Sequence, residues 1–334
     1  MRIHYDWRLA RVVDDERNIV DELEWDGPIT PTTLSKRLKI IQGGRNLPEV
    51  STLSERFPEA IIDEMGALSD PHWPEFGDLE QVFQKATLEL AKMGVADSSG
   101  DLDRRLDMLV SAAQELRSSW TTSEARCVEW SGLFITEANL DSQRNDIPVA
   151  ISSSRTISEA AEKLGVNPPK HLPSDLEWSS MFSHANTVTR SSEILDQIEN
   201  AIREIASTHS PSLSALLGPI SAAKLISLAG GRERLARMPS GSLQVLGAHA
   251  AMSAHRRGAP PPKHGAVLFS MPQVSRSPRW VRGKIARYLA GKASIAARVD
   301  HFEGERWDES KIEEINSEIE AIKDKFPRPP KRGV

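Results

Sequence analysis

The chain has 334 residues, a formal net charge of −5 and a hydrophobic content of 39%, which is enough for packed cores. Its single cysteine, Cys127, excludes an internal disulfide. No window approaches the roughly eighteen consecutive apolar residues of a membrane-spanning helix. Residues 1–10 lack the apolar run of a signal peptide, so we expect a cytoplasmic protein with no membrane segment.

The charge is distributed very unevenly along the chain. Between Arg234 and Val299 there is no Asp or Glu, while the same stretch carries twelve Lys or Arg residues. From Pro211 to Gly304 fourteen basic and three acidic residues give +11, which leaves −16 for the remainder of the chain. Such asymmetry predicts one part that faces a polyanion, with RNA as the leading candidate, and an acidic part with another task.

The acidic part begins with a mixed segment and continues with helices. Residues 1–76 alternate apolar and charged residues between prolines, which favours a small α/β domain that ends near Asp70–Pro74. Beyond this boundary the apolar residues recur at spacings of three and four, which predicts a long amphipathic helix. They are Leu102, Leu106, Leu109, Ala113, Leu116 and Trp120.

A second long helix is predicted after an irregular segment. Asp141–Arg155 is polar and is interpreted as a turn or mobile tip. Thr156 and Glu159 fit a capping box that opens a short helix. From Asp175 a long helix follows, with isoleucines at helical spacing in its later half. The two long helices suggest an antiparallel coiled coil at residues 77–208, although an ordinary helical domain fits the pattern equally well.

The basic third is also predicted to be mostly helical. Helices are expected at Leu213–Leu228, Ser242–Arg257, Arg279–Val299 and Lys311–Lys325, with a short β-like run at Ala266–Phe269. This gives a helical domain at residues 209–326 and an extended, disordered, basic Pro-rich tail at 327–334. The predicted class is therefore mainly α, with a small N-terminal α/β domain, a central antiparallel coiled coil and a C-terminal helical domain.

The helix predicted at Arg279–Val299 separates apolar and cationic residues. At 100° per residue, the apolar side chains on one arc are expected in the core: Ile285, Ala286, Leu289, Ala293 and Ala296. Lys284, Arg287 and Arg298 share the opposite side, with Gly283, Gly291 and Ser294 on or beside it. Small residues between cations let a sugar-phosphate backbone approach closely. The alternative is an outer face that only keeps the helix hydrated, but such faces normally mix both signs of charge.

A proline-rich loop is the second candidate feature. In Pro260–Gly265 the prolines restrict the backbone, so Lys263 and His264 would be presented at little entropic cost. An imidazole can stack on an unpaired base while a neighbouring lysine contacts a phosphate. An incidental surface histidine is the alternative.

Several motifs in the basic third resemble a known family. They are Leu216–Pro219, Ala223–Gly231, Leu235–Ser240, Gln244–Ala248, Pro262–Gly265 and Ser277–Asp300. Together they are similar to the Nop domain over residues 211–332, and Leu106–Glu137 more weakly resembles the first coiled-coil helix of the same family. The chain is identified as resembling the archaeal Nop-family core protein of box C/D ribonucleoproteins.

This resemblance implies a scaffold. In the family the Nop domain binds a guide-RNA kink-turn together with a small ribosomal-protein-like subunit, and the coiled coil forms a homodimer. The N-terminal domain docks fibrillarin, which methylates ribose 2′-hydroxyls with S-adenosylmethionine. The RNA-binding residues that the resemblance and the charge pattern indicate are Gln244, Gly247, Ala248, His249, Lys263, His264, Arg279, Arg282, Lys284, Arg287, Lys292 and Arg298.

The chain departs from the family pattern at three points, one of which is a loop before Lys263 that is one residue shorter. His249 stands where archaeal members usually carry Glu, and Ala251–Ala254 replaces an Ala-Leu-Phe-Arg motif thought to touch the guide–substrate duplex. A divergent paralogue or a spliceosomal-type scaffold that binds kink-turn RNA without fibrillarin therefore stays an alternative.

An RNA-modifying enzyme is the alternative of another class. The sequence has no glycine-rich dinucleotide or P-loop motif, no metal-binding Cys or His spacing and no nucleophile elbow. Cys127 lies in an apolar helical context and is expected to be a buried small hydrophobe. We therefore expect no enzyme activity, no cofactor and no metal.

Overall fold

The computed structural model of the chain describes residues 1–329. The tail predicted to be disordered lies, from residue 330 onward, outside the described residues. Contacts divide the chain into two compact units, Met1–Gly100 and the residues from Asp101 onward.

The first unit is a small α/β fold around a four-stranded sheet. Its strand order is β3-β2-β1-β4, with β1 antiparallel to β2, β2 antiparallel to β3, and β1 parallel to β4. Because β2 is buried along its whole length, it forms the centre of the core. The elements are β1 Arg2–Tyr5, β2 Leu9–Val13, β3 Ile19–Glu24, α1 Pro31–Gln42, α2 Pro48–Arg56, β4 Ile61–Asp63, α3 Gly66–Ser69, a 3₁₀ turn Gly77–Leu79 and α4 Glu80–Ser98.

The last helix of this unit extends it beyond the boundary predicted near residue 76. Leu34 of α1 and Ala86 of α4 are fully buried in one cluster with Trp7. A Lys39–Asp97 ion pair at 2.7 Å links the same two helices. The helix α4 therefore belongs to the first unit and packs against α1 within it.

The second unit is entirely helical in the residues that the structure describes. Two long helices, α5 and α8, contain most of its residues before Pro211, and eleven shorter or middle-sized helices complete it. The helices are α5 Leu102–Gly132, α6 Asp146–Ser152, α7 Ile157–Lys163, α8 Asp175–His209, α9 Pro211–Leu217, α10 Pro219–Ala229, α11 Arg232–Arg237, α12 Ser240–Gln244, α13 His249–Arg256, α14 Ala266–Ser270, α15 Pro272–Ser275, α16 Arg282–His301 and α17 Glu309–Lys325.

The two long helices pack against each other in antiparallel directions. Early residues of α5 contact the end of α8, and late residues contact its beginning. The bonds join Asp103 to His209, Arg117 to Glu199, and His184 to the Ser123 carbonyl. Leu106 and Ala113 of the predicted stripe are buried, and so is Val110, which was not predicted. The antiparallel helix pair is thus confirmed, while a supercoil stays a prediction.

Cys127 lies inside this pair, as the sequence suggests. It is buried beside Val128 and Met181, and burial raises the pKa of its thiol to about 11. A thiol with so high a pKa is a poor nucleophile at neutral pH.

Some local predictions are wrong. The polar tip predicted at Asp141–Arg155 contains α6, which buries Ile147 and Ile151 in a second core cluster. The β-like run at Ala266–Phe269 is the helix α14, because a four-residue apolar run does not distinguish a strand from a buried helix. The helix predicted at Leu213–Leu228 is two helices, since Gly218 adopts a φ of +78° between them.

No single helix among residues 1–329 is long and apolar enough to cross a membrane. The helices α9 and α10 meet the length and composition criterion only as a pair that bends by 117°.

Candidate nucleic-acid interface

The helix α16 places its cations and its apolar residues on opposite sides, as its periodicity predicts. Lys284, Arg287 and Arg298 are exposed. The positions predicted for the core are all buried: Ile285, Ala286, Leu289, Ala293 and Ala296. At 1.5 Å per residue the three cations span about 21 Å along the helix axis. They form a row, which we call the cationic row.

The basic residues in and around this row are not neutralised by carboxylates. Within residues 1–329, no salt bridge closer than 4.0 Å involves the cations between Arg256 and Arg298. Lys292 has a weak electrostatic effect on one carboxylate, that of Glu314. The pKa of Glu314 lies below its usual range, mainly because Lys311 donates a hydrogen bond to it, and Lys292 adds a smaller effect. The positive charge seen in the sequence is therefore presented at the surface.

The cations differ in how many of their N–H donors already contact other residues of the protein. Arg298 Nε donates to the Ala236 carbonyl at 3.0 Å, and Lys284 Nζ lies 4.1 Å from the ring centroid of Phe326. Arg287 makes no hydrogen bond, salt bridge or cation–π contact with any residue that the structure describes. Arg287 is therefore the member of the row with the most donors available to a ligand.

Arg282 has a structural position. Its Nε donates to the Ser277 carbonyl at 2.7 Å and its Nη2 to the Ser275 carbonyl at 2.8 Å. Its guanidinium also lies 5.6 Å from the ring centroid of Phe269. These contacts fix the turn that leads into α16. Two of the N–H donors of Arg282 are therefore already used inside the protein. Arg282, which was predicted to bind RNA, has fewer donors left for a phosphate than that prediction requires.

The proline-rich loop packs on the start of α16. Gln244 Nε2 donates to the Lys263 carbonyl at 2.6 Å, and the Gly265 amide donates to the Gln244 carbonyl at 2.7 Å. A Cβ atom on Gly265 would lie 1.9 Å from the Leu246 carbonyl oxygen, so only glycine fits there. These contacts join the loop to α12, and Lys263 also lies against Gly283 at the start of α16.

Gly283 lies against the proline-rich loop of the same chain, so it does not leave space for a partner. A Cβ atom on Gly283 would lie 3.6 Å from Lys263 Cβ, so the chain's own loop occupies the space beside it. Around Gly291, by contrast, no described residue outside its own stretch of helix has an atom within 4 Å of a Cβ position. Of the small residues expected to admit a partner, Gly291 has that space, whereas Ser294 is buried.

His264 stacks on a side chain of its own domain. Its ring lies parallel to Phe269, with centroids 4.7 Å apart and planes 11° apart. One face of the imidazole is thus covered, and its stacking on a base stays a prediction that concerns the other face. Lys263 remains exposed.

The remaining predicted residues lie at the start of α13, in the turn before it and in the turn before α16. Gly247 adopts a φ of +80° and separates α12 from α13, with Ala248 next to it. His249 begins α13, which has no buried residue, and is exposed. Arg279 is exposed at the turn before α16.

Two aromatic residues were not singled out from the sequence. Trp280 and Phe269 are partly exposed among the cations, and Trp280 Nε1 donates to the Phe326 carbonyl at 2.9 Å. Aromatic residues interleaved with basic ones were the available signal, because bases stack on such rings. Among residues 1–329 no three His, Cys, Asp or Glu side chains are grouped to hold a metal ion. The surface is therefore a cationic and aromatic face of a helical domain.

Comparison with known proteins identifies the class. Residues 132–322 match the family model Nop, described as "snoRNA binding domain, fibrillarin". Because this match covers more than half of the chain, the chain belongs to the Nop family, and the resemblance seen in its motifs is confirmed.

Individual relatives agree with this assignment. An uncharacterized NOP5 family protein of Methanocaldococcus jannaschii is 32% identical over 239 residues, which cover 70% of this chain and 57% of that protein. Nucleolar protein 56 of Caenorhabditis elegans is 38% identical over 130 residues, 39% of this chain and 26% of that protein. The chain thus spans little more than half the length of the first relative and about a quarter of the second.

One solved structure is also similar. A chain of the crystal structure of a fibrillarin/Nop5p complex matches with a TM-score of 0.41 and 23% identity, over 91% of this chain and 97% of that chain. This similarity is too low to support an argument about function.

Proposed function

We propose that the protein is a non-catalytic, RNA-binding scaffold of the box C/D ribonucleoprotein that guides 2′-O-methylation of rRNA, and of tRNA as a further substrate. The observation that carries this proposal is the cationic row on a Nop-family domain. Lys284, Arg287 and Arg298 face outward, and no described carboxylate pairs with them. Such a row suits a folded polyanion better than a small ligand, because it is long and exposed rather than enclosed.

The RNA element we propose is a kink-turn, bound jointly with the small ribosomal-protein-like subunit. The cationic row contacts phosphates, and the exposed Lys263 adds a contact from the neighbouring loop. Because the RNA site of the family is composite, we expect little affinity for RNA without the small subunit. The protein would act in the cytoplasm, without membrane or cofactor.

The other domains would position the catalyst. The antiparallel pair of α5 and α8 is proposed to form a homodimer, and the first unit to dock fibrillarin. In support of docking, Ile61, Met65 and Leu68 are 65–82% exposed on and just after the edge strand β4. Large apolar side chains so exposed are typical of sites that bind another protein.

A gel shift with kink-turn RNA and the small subunit tests the RNA site. Changing Arg287 and Arg298 to Glu is expected to abolish assembly, because it replaces two phosphate contacts by repulsion. Since Arg298 also bonds the Ala236 carbonyl, Arg287→Glu alone is measured as well, and it should weaken binding without changing thermal stability.

The matched control reverses two cations outside the interface. Arg126 and Arg190 are exposed and lie in surface pairs with Glu129 and Glu193. Their change to Glu should leave the gel shift intact. If both double variants bind equally well, the cationic row is not the RNA site.

The role of fibrillarin is tested separately. Fibrillarin should co-purify with the tagged chain, and Leu68→Asp should abolish this while RNA binding continues. A chain that assembles on RNA but never retains fibrillarin would be the divergent paralogue. Methyl transfer from labelled S-adenosylmethionine to RNA by the purified chain alone would overturn the scaffold proposal.

A further inference from the structure

Trp280 differs from the other tryptophans of the chain in its exposure. The chain has eight tryptophans, all among the described residues, and Trp280 is the most exposed of them, at 36%. It lies in the turn before α16, inside the stretch of 66 residues that has no Asp or Glu. An accessible aromatic ring among cations is a combination that nucleic-acid-binding surfaces use.

The one polar group of the indole is already bonded within the chain. Trp280 Nε1 donates to the Phe326 carbonyl at 2.9 Å. Because an indole has no other donor and no acceptor, a ligand of this side chain can only contact its ring. The same bond fixes the orientation of the ring before a ligand arrives, which lowers the entropic cost of binding.

No side chain of the described residues stacks on this ring. Neither an aromatic ring nor a Lys or Arg side chain lies over Trp280 within residues 1–329. Phe269, by contrast, carries the stacked ring of His264, and Lys284 Nζ lies 4.1 Å from the ring centroid of Phe326. Of these three rings, Trp280 is therefore the one available for stacking.

The neighbouring charges select the kind of ligand. Arg279 precedes Trp280 and is exposed, and Lys284 contacts the same Phe326 that accepts the indole hydrogen bond. These cations repel a Lys or Arg side chain of a partner, so a cation–π ligand is disfavoured. They attract a phosphate. A ligand that suits both the ring and its surroundings is an aromatic group linked to an anion, which is what a nucleotide is.

We infer that Trp280 is the stacking platform for one unpaired nucleobase of the bound RNA, whose flanking phosphates lie on Arg279 and Lys284. This inference rests on the proposed function, because the RNA must already lie along the cationic row. A paired base inside a duplex has both faces covered by its neighbours, so the base belongs to a loop, a bulge or a flanking single strand. The contact depends on the base ring and carries no charge.

The test measures binding of the full chain to kink-turn RNA, with the small subunit present, over a series of salt concentrations. Trp280→Leu keeps an apolar side chain but removes the ring, and it should weaken binding by roughly five- to a hundredfold. The slope of log K against log salt should stay unchanged, because the indole has no charge. Lys284→Gln should instead lower that slope by about 0.7–0.9.

Two further variants separate stacking from a structural role. Trp280→Phe keeps a ring but loses the N–H donor to the Phe326 carbonyl, so it should bind RNA several-fold better than Trp280→Leu. Phe76→Leu removes a ring of similar exposure, 41%, from the first unit and is the matched control that should leave RNA binding unchanged. Thermal denaturation checks that each variant is folded.

Abasic RNA identifies the base. The unpaired bases of the RNA are removed one at a time, and each RNA is bound to wild type and to Trp280→Leu. One position should weaken binding to the wild type and have little effect on Trp280→Leu, because a contact that the variant has already lost cannot be lost again.

Three outcomes would overturn the inference and leave the proposed function intact. Wild type and Trp280→Leu may bind equally well, the Leu and Phe variants may be equally weak, or no abasic position may couple to Trp280. The second result would assign the indole to folding through Phe326, and the third to a contact with the small subunit. A wild-type chain that binds no kink-turn RNA would refute the proposed function and this inference with it.

Discussion

Replacement of Asp103 by asparagine should loosen the joint between the helix pair and the cationic domain. Asp103 Oδ1 lies 2.7 Å from His209 Nε2, and Asp103 Oδ2 accepts from the Arg232 amide at 2.8 Å. Arg232 in turn donates to the His209 carbonyl at 2.7 Å. Asparagine keeps one acceptor but loses the charge. Hydrogen bonds to charged groups contribute about 1.5–3 kcal/mol, so we expect a loss of about 2 kcal/mol at pH 7.

The effect should depend on pH in a defined direction. Burial raises the pKa of Asp103, but the hydrogen bonds from His209 and the Arg232 amide outweigh it, so the net pKa lies below the usual value. A carboxylate of this kind stabilises the fold above its unfolded pKa of about 3.9, and this contribution is lost as the pH falls through the lower, folded-state pKa. The difference between wild type and variant should therefore be full at pH 7 and shrink below about pH 4.

Thermal unfolding at several pH values measures this. A loss of about 2 kcal/mol corresponds to a fall in Tm of roughly 4–8 °C for a unit of this size. Asp324→Asn, at an exposed position on α17, makes the same chemical change as a control and should leave Tm within about 1 °C of wild type. Equal Tm values for the two variants, or a difference that stays constant down to pH 3, would refute the reasoning.

Three further predictions concern the basic helical domain. Gly265→Ala should reduce the free energy of unfolding by at least about 2 kcal/mol, because its Cβ would overlap a backbone carbonyl, and the measurement is a lower Tm. Gly94→Ala, whose Cβ would point into open space, is the control and should not destabilise the protein. Asp300→Asn should reduce the free energy of unfolding by about 1–3 kcal/mol, because the two carboxylate oxygens accept from two backbone amides at the start of α9, at 2.9 Å each. Chemical denaturation measures this, and an unchanged midpoint would contradict it. Arg287→Gln should reduce the slope of log K against log salt for RNA binding by about 0.7–0.9, while Arg282→Lys should lower Tm and leave the slope unchanged; the reverse pattern would exchange their roles.

The sequence predicts the fold well where apolar residues recur at a single helical spacing over a long stretch. The arc of Ile285, Leu289 and Ala293 on α16 is buried as its spacing indicates, because a long amphipathic helix repeats the same signal over five turns. The tip around Ile147 was missed because its apolar run is short and is flanked by polar residues. The end of the first unit was also missed, since the place of α4 depends on its packing against α1, which no local pattern contains.

The candidate site was predictable in composition but not in detail. Charge counts located the basic third, because the absence of Asp and Glu over 66 residues needs no structure to be seen. The stacking of His264 on Phe269 was not predictable, because the two residues meet only after the loop turns back onto the domain. Side-chain partners of this kind are set by tertiary contacts.

The cations of the basic third therefore divide into two groups that the sequence cannot separate. Arg282 uses its donors on two carbonyls of the turn before α16, so its removal affects folding before it affects binding. Arg287 uses none on the described residues, so its charge is available to a phosphate. A count of Lys and Arg overestimates the number of phosphate contacts, and the salt dependence of RNA binding should report only the second group. A slope that matches all twelve cations would mean that the turn opens on binding and releases Arg282.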